Sequence, residues 1–281
     1  VAKRIPPEHL FDARGVAPAE LTRAVELALT RSRPELIVSW FWTRLLPGAW
    51  LAAARYGGIG VHPSLLPRHR GPNPYFWTID TGDEVAGVTL HTLAPEYDTG
   101  AILLQRAIPV GERSSWQLAR ALDRPSLGLL REGVGRFARS HPPSPTAQDE
   151  QAATWAPEPT GRELGVDWAW STRRVLSRIR ALSPVPGLAV EVAGVPFFVT
   201  RARAATTLLK ALEPGEAGWV GTPESLIIRT ADGAITVERA TLSTDELDRD
   251  EAADPAPDEA TELDEHELAQ AVRQGQHAPS P

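Results

Sequence analysis

The chain has no cysteine, which excludes disulfides and thiolate metal sites. It has no methionine, not even at position 1. Val1 therefore reads either as an alternative start or as the first residue of a fragment. No apolar run approaches the roughly 18–20 residues of a membrane span. The opening VAKRIPPEHLF carries no signal-peptide core. These absences point to a cytoplasmic address and no membrane partner. Several catalytic signatures are missing too. No GxGxxG opens a helix, HRGPNP is no phosphate loop, and GERSS is not a nucleophile elbow. His62, His69 and His91 have no zinc-site spacing, so no metal is expected. His91 itself reads as a packed or surface strand residue.

What is present is enough apolar sequence for a core: 42% of 281 residues, the size of one large or two ordinary domains. Charge is uneven. The net is −7, yet residues 241–281 hold 12 acidic and two basic residues. That stretch reads as a solvated, disordered, solubilising tail, with only a weak helical pattern around Leu263, Leu268 and Val272. Residues 140–154 (SHPPSPTAQDEQAAT) lack periodicity and read as a linker or long surface loop.

Up to residue 139, strands alternate with helices. Residues 18–33 carry Leu21, Val25 and Leu29 on one helical face. ELIVSWFW, from Pro34 onward, reads as a buried parallel strand over 35–42. Short strands are expected at 57–61, 85–93 and 101–110, helices at 47–54 and 73–81, and a helix from Ser114 or Ser115 toward Arg139, broken at Pro125. The alternation argues α/β with a largely parallel sheet. After the linker come one helix (STRRVLSRIRAL) and five short strands (LAVEV, VPFFVTRA, AGWVG, LIIRT, AITVERA), the pattern of a small OB-like barrel.

The chemistry lies between residues 57 and 105. His62 follows a short strand, in a loop stiffened by Pro63, Pro67 and Pro72. Asp98 lies 36 residues on, in another loop between strands. Two readings stand: a general base with the carboxylate that orients it, or a surface histidine and a turn aspartate. Spacing alone does not decide between them.

Residues 60–105 (GVHPSLLPRHRGPNPYFWTIDTGDEVAGVTLHTLAPEYDTGAILLQ) resemble the core of the folate-dependent formyltransferases. The family pattern is roughly N-x-H-x-S-L-L-P-x-x-R-G, then G-D/E-x-x-x-G-V-T, then D-x-G-x-I. His62, Ser64, Leu65, Leu66, Pro67, Arg70, Gly71, Gly82, Asp83, Gly87, Val88, Thr89, Asp98, Gly100 and Ile102 match it. Residues 166–204 are similar to the carboxy-terminal domain of the two-domain, methionyl-tRNA type, through Asp167, Trp168, Pro184, Pro186 and Gly187.

The resemblance implies a mostly parallel, Rossmann-like formyltransferase domain over 1–140, a linker over 141–160, an OB-like domain over 161–245 and an acidic tail over 246–281. It implies 10-formyltetrahydrofolate as co-substrate and His62 and Asp98 as catalytic pair. Folate would be held by Phe41, Trp42, Thr43, Arg44, Leu45, Leu93, Pro95, Glu96 and Tyr97. The substrate would lie on Ser64, Leu65, Leu66, Pro67, Arg70 and Gly71. The acceptor would be an amine on methionyl-tRNA in the first place; the alternative is a small molecule such as an amino sugar nucleotide or secondary metabolite.

Two departures matter. The family's third catalytic group, an Asn, falls at Gly60, and losing one oxyanion donor typically costs about 100–1000-fold. The outcomes are a slow enzyme, another donor, or a degenerate binding protein. Asn73 is a candidate donor, though it reads more simply as a turn or cap residue. The chain also begins about one strand-helix-strand unit late. That implies an exposed sheet edge, a strand from another subunit, or a truncated frame, and it leaves out a basic insertion that grips tRNA. The helix arginines Arg173, Arg174, Arg178 and Arg180 read either as phosphate contacts or as a solvated face. Trp168, Trp170, Phe197 and Phe198 read as core rather than base-stacking residues.

Overall fold

The computed structural model describes residues 15–42, 44–207, 209, 211–221, 224–242 and 262–276. Helix α1 (Pro18–Ser32) starts on a proline at its first turn and ends where Arg33 turns left-handed. Four strands follow: β1 (Ile37–Ser39), β2 (Gly58–His62), β3 (Val85–Thr92) and β4 (Ile102–Pro109), with α2 (Gly48–Ala52) and α3 (Pro74–Asp80) between them. Helix α4 (Ser115–Ala138) lies across β3 and β4.

The strands lie in the order β1-β2-β3-β4. Only β1 and β2 are parallel; β2–β3 and β3–β4 are antiparallel. The largely parallel sheet expected from the alternation is therefore corrected to a mixed one. A parallel return needs a crossover of about a dozen residues or more, usually a helix. The β3–β4 loop contains no helix, so the chain simply turns back. Among the described residues no strand pairs with the outer edge of β1.

Two further expectations change. The strand expected over 35–42 stops at Ser39, and Phe41 takes a left-handed φ of 52°. The aromatic run thus leaves the sheet as a loop. Helix α4 passes through Pro125 unbroken. Leu118, Leu122 and Leu129 are almost fully buried on its inner face, and that packing outweighs the roughly 3 kcal/mol a mid-helix proline costs.

Helix α5 (Thr172–Leu182), N-capped by Ser171, opens the second half. Strands β5 (Leu188–Val192), β6 (Val195–Ala204), β7 (Ala217–Val220), β8 (Ser225–Arg229) and β9 (Ala234–Leu242) form an antiparallel sheet in the order β5-β6-β9-β8-β7. Among the described residues β5 and β7 do not pair, so the expected barrel is an open half-barrel. Val175, Ile179, Leu188, Phe197, Val199, Ile228, Ile235 and Val237 fill it.

The disordered tail expected from residue 246 does not hold for 262–276. There β10 (Glu262–Asp264) pairs with β9 and leads into α6 (Glu265–Gln276). Leu268 and Val272 sit one turn apart and are fully buried in the half-barrel core. Glu265 and Glu267 occupy the first turn, where the helix dipole favours acids. The rest of that tail lies outside the described residues.

One ion cluster joins the halves. Asp80, at the end of α3, accepts from Arg174 Nη1 and Nη2 (2.6 and 2.8 Å) and from Arg178 Nε and Nη2 (2.6 and 3.1 Å). Both guanidinium groups stand over the Trp170 ring. Arg174 and Arg178 therefore form neither a phosphate contact nor a solvated face. Burial pushes the Asp80 carboxyl up, but the bonds from Arg178 and Arg174 more than offset it and hold it below the usual carboxylate range. Asp80→Asn should leave two cations short of a counter-charge and lower unfolding free energy by about 3–5 kcal/mol, read by denaturant titration. With its folded value depressed, Asp80 contributes stability above its unfolded value of 3.8, and that contribution should fade as pH falls through the folded value.

Candidate active site

Strand β2 delivers His62 into a loop that folds back under it. The imidazole Nε2 donates to the His69 carbonyl at 2.7 Å. Its Nδ1 stands 3.5 Å from Asp98 Oδ2, a charge contact longer than an ordinary hydrogen bond. The 36-residue separation thus closes to touching distance. Asp98 is itself left-handed, with φ of 57°, a conformation that costs energy outside glycine. Its Oδ2 accepts the Gly71 N–H at 2.9 Å. Gly100 follows because a Cβ there would overlap the Thr92 carbonyl, which accounts for the Asp-x-Gly spacing.

The segment read as a linker is a strap across these loops. Gln148 Nε2 donates to the carbonyls of Asp98 and Gly100, both at 2.7 Å. Its Oε1 accepts from Arg70, whose fork also meets Glu150 at 2.8 Å. Thr154 Oγ1 accepts the His69 N–H at 2.8 Å, and Arg70 N–H donates to the Thr154 carbonyl. His69 Nε2 donates to Asp83 Oδ2 at 2.8 Å. Burial lowers the His69 pKa although Asp83 pulls it the other way.

A cavity of about 640 Å³ opens above His62 and Asp98, within the range of small-molecule sites. Of the residues offered for folate, Phe41, Trp42, Arg44, Leu45, Leu93, Glu96 and Tyr97 line it and Pro95 does not. Thr43 lies outside the described residues. Of the expected substrate contacts only Gly71 reaches the wall. Ser64, Leu65, Leu66, Pro67 and Arg70 do not. Ser64 donates to the Arg68 carbonyl, Leu66 N–H to Thr89, and Leu65 packs over Gly87. These residues build the loop, and Arg70 is spent on the strap. Asn73 caps α3 by accepting from Phe76 N–H, and its amide donates to Glu158; it is not on the cavity wall.

Other wall residues escaped the sequence reading. Trp155 adds flat apolar surface, and Tyr75, Asp123 and Glu158 add polar surface, while Trp40 extends the aromatic run already offered for folate. Burial, with Asp123 nearby, pushes the Tyr75 phenol up to about 12. His91 also faces the cavity, opposite Gly60 in the strand register; period-two alternation on β3 was the available signal. Among the described residues no three ligating side chains gather into a metal site.

With this geometry in place, the comparisons with known proteins are decisive. The model "Formyl transferase" matches residues 1–123, and "Formyl transferase, C-terminal domain" matches 161–249. The chain belongs to the formyl transferase family. It is 30% identical over 248 residues to a methionyl-tRNA formyltransferase of Synechococcus sp. (strain JA-3-3Ab), covering 84% of this chain and 76% of that protein. Among solved structures it is similar to HypX from Aquifex aeolicus in complex with tetrahydrofolic acid, at 25% identity and a TM-score of 0.65. That match covers 93% of this chain and 42% of the HypX chain, less than half of its length. An N-formyltransferase from Helicobacter canadensis, solved with folinic acid and dTDP-3-aminofucose, shares the fold at 16% identity and a TM-score of 0.57, over 71% of this chain and 72% of that one.

The strap is testable without substrate. Gln148→Ala strands two carbonyls and half of the Arg70 fork, so stability should fall by about 1–3 kcal/mol. Hydrogen exchange at the Gly71 amide should quicken, because the carboxylate it donates to loses its anchor. Unchanged exchange at Gly71 would show that the strap does not hold Asp98.

Proposed function

We propose that the chain transfers a formyl group from 10-formyltetrahydrofolate to an amino group. The observation that carries this reading is the His62–Asp98 pair at 3.5 Å on the floor of a cavity walled by flat aromatic side chains. Trp40, Phe41, Trp42 and Tyr97 suit a pterin ring, and the Leu93 to Asp98 turn offers backbone groups to its edge. When bound, the folate supplies the electrophilic formyl carbon. His62 manages the proton at Nδ1, and Asp98 stabilises the imidazolium that forms there.

For the acceptor, a small amine is the better reading. Among the described residues Arg44 is the only basic side chain on the cavity wall apart from the histidines, against Glu96, Asp98, Asp123 and Glu158. Such a wall repels phosphate and attracts an ammonium group. Of the four helix arginines weighed for tRNA, Arg174 and Arg178 are occupied by Asp80 and Arg180 donates to the Gly111 carbonyl, which leaves Arg173 exposed. The methionyl-tRNA reading keeps two supports, the two-domain build and the relative's name.

A formylation assay with charged tRNA beside a panel of small amines separates the two. Small amines should be formylated and charged tRNA should not. His62→Asn and Asp98→Asn should each lower kcat by about 100–10,000-fold. Folate binding, read by quenching of the Trp40 and Trp42 fluorescence, should stay within a few-fold. Parallel loss of binding and rate would argue that the pair holds folate instead of moving a proton.

A further inference from the structure

His91 is a buried imidazole that the proposed proton path through His62 does not use. It stands on β3 directly across from Gly60 on β2, and side chains at such paired positions share a face. Its Nδ1 lies 2.9 Å from the Thr92 carbonyl. A carbonyl only accepts, so Nδ1 carries the hydrogen and the neutral ring presents a lone pair at Nε2. That lone pair stands 3.8 Å from Asp98 Oδ1, while His62 faces the other oxygen of the same carboxylate. Two acceptors then confront each other with no hydrogen between them. Both border the cavity. One incoming N–H donor with two hydrogens satisfies the pair.

Gly60 makes the room. A Cβ at residue 60 would stand 3.6 Å from His91 Nε2 and 3.0 Å from Leu93 Cδ2. A longer side chain there would compete with the imidazole for the same space. The titratable groups acting on His91 are Asp98, which favours its charged form, and His62, which opposes it. Burial is the largest influence and lowers its pKa, so the ring stays neutral where most proteins work.

We propose that His91 Nε2 and Asp98 Oδ1 form the seat of the attacking amine, and that His91 takes the amine's proton. The inference rests on the formyl-transfer reading above. The amine lone pair forms the new C–N bond as the carbonyl π pair moves onto the formyl oxygen, and the N–H proton passes to Nε2. The oxygen pair re-forms the carbonyl as the old C–N bond breaks. The proton passes from His91 through the Asp98 carboxylate, which faces both rings, to His62 Nδ1, and His62 gives it to the departing nitrogen, so both imidazoles end neutral.

Three measurements test this. Histidine ¹⁵N NMR on the wild-type chain should find His91 protonated at Nδ1 and bare at Nε2, with a midpoint below 6.5. Methylammonium chloride should shift the Nε2 resonance saturably. His91→Gln should lower kcat/KM for the best small amine by about 100-fold or more and remove the acid limb of its pH profile. Gly60→Asn should slow transfer at least about tenfold, because the amide displaces the imidazole. An Nε2–H ring, an unmoved resonance, an unchanged acid limb in His91→Gln, or a faster Gly60→Asn enzyme would each overturn the proposal. If the wild type formylates no acceptor, the formyl-transfer reading fails, and the NMR titration still decides the amine seat.

Discussion

The Asp98 carboxylate is the point on which the site turns. One oxygen takes the Gly71 amide and faces His62; the other faces His91. Holding it there needs a left-handed backbone at a non-glycine residue. Such a conformation persists only where its surroundings over-determine it. Gln148 does so by tying the carbonyls on either side of Thr99, and the Gly100 approach to Thr92 leaves no slack. Three stretches distant in sequence are thereby brought to one anion.

A second constraint acts between the halves of the chain. Asp80 is nearly buried and meets two guanidinium groups from α5. A buried pair of this kind contributes less to net stability than to geometry, because desolvation consumes much of the attraction. Its effect is to dock α5 against α3, the helix that follows the His62 loop. Two of the arginines weighed for nucleic acid, Arg174 and Arg178, are structural, which changes the functional argument as well as the packing one.

Much of this was legible from residue patterns. Helices with one apolar stripe and a cap, such as Thr172–Leu182, appear almost where periodicity puts them. Spacing alone left the His62–Asp98 pairing open; the family resemblance implied it. Strand direction did not, because helix–strand alternation cannot distinguish a crossover from a turn-back. The aromatic run after Ser39 reads as strand by composition and is loop by conformation. Ser64, Leu66 and Arg70 belong to a motif, and motif membership does not say whether a side chain faces ligand or loop. The strap was missed because its contacts are hydrogen bonds at separations of about 50 to 85 residues, which leave no local period. Leu268 and Val272 were outvoted by the acids around them.

The strap also has a bearing on how such chains are cut and joined. Residues 146–158 look like the natural place for a tag, a fusion boundary or a protease nick, being polar, proline-flanked and between two folded halves. Their hydrogen bonds run into the loops that carry Arg70, Asp98 and Gly100. Severing or lengthening the chain there would reach Asp98 from behind, so the halves are separable in sequence but not in what holds that carboxylate.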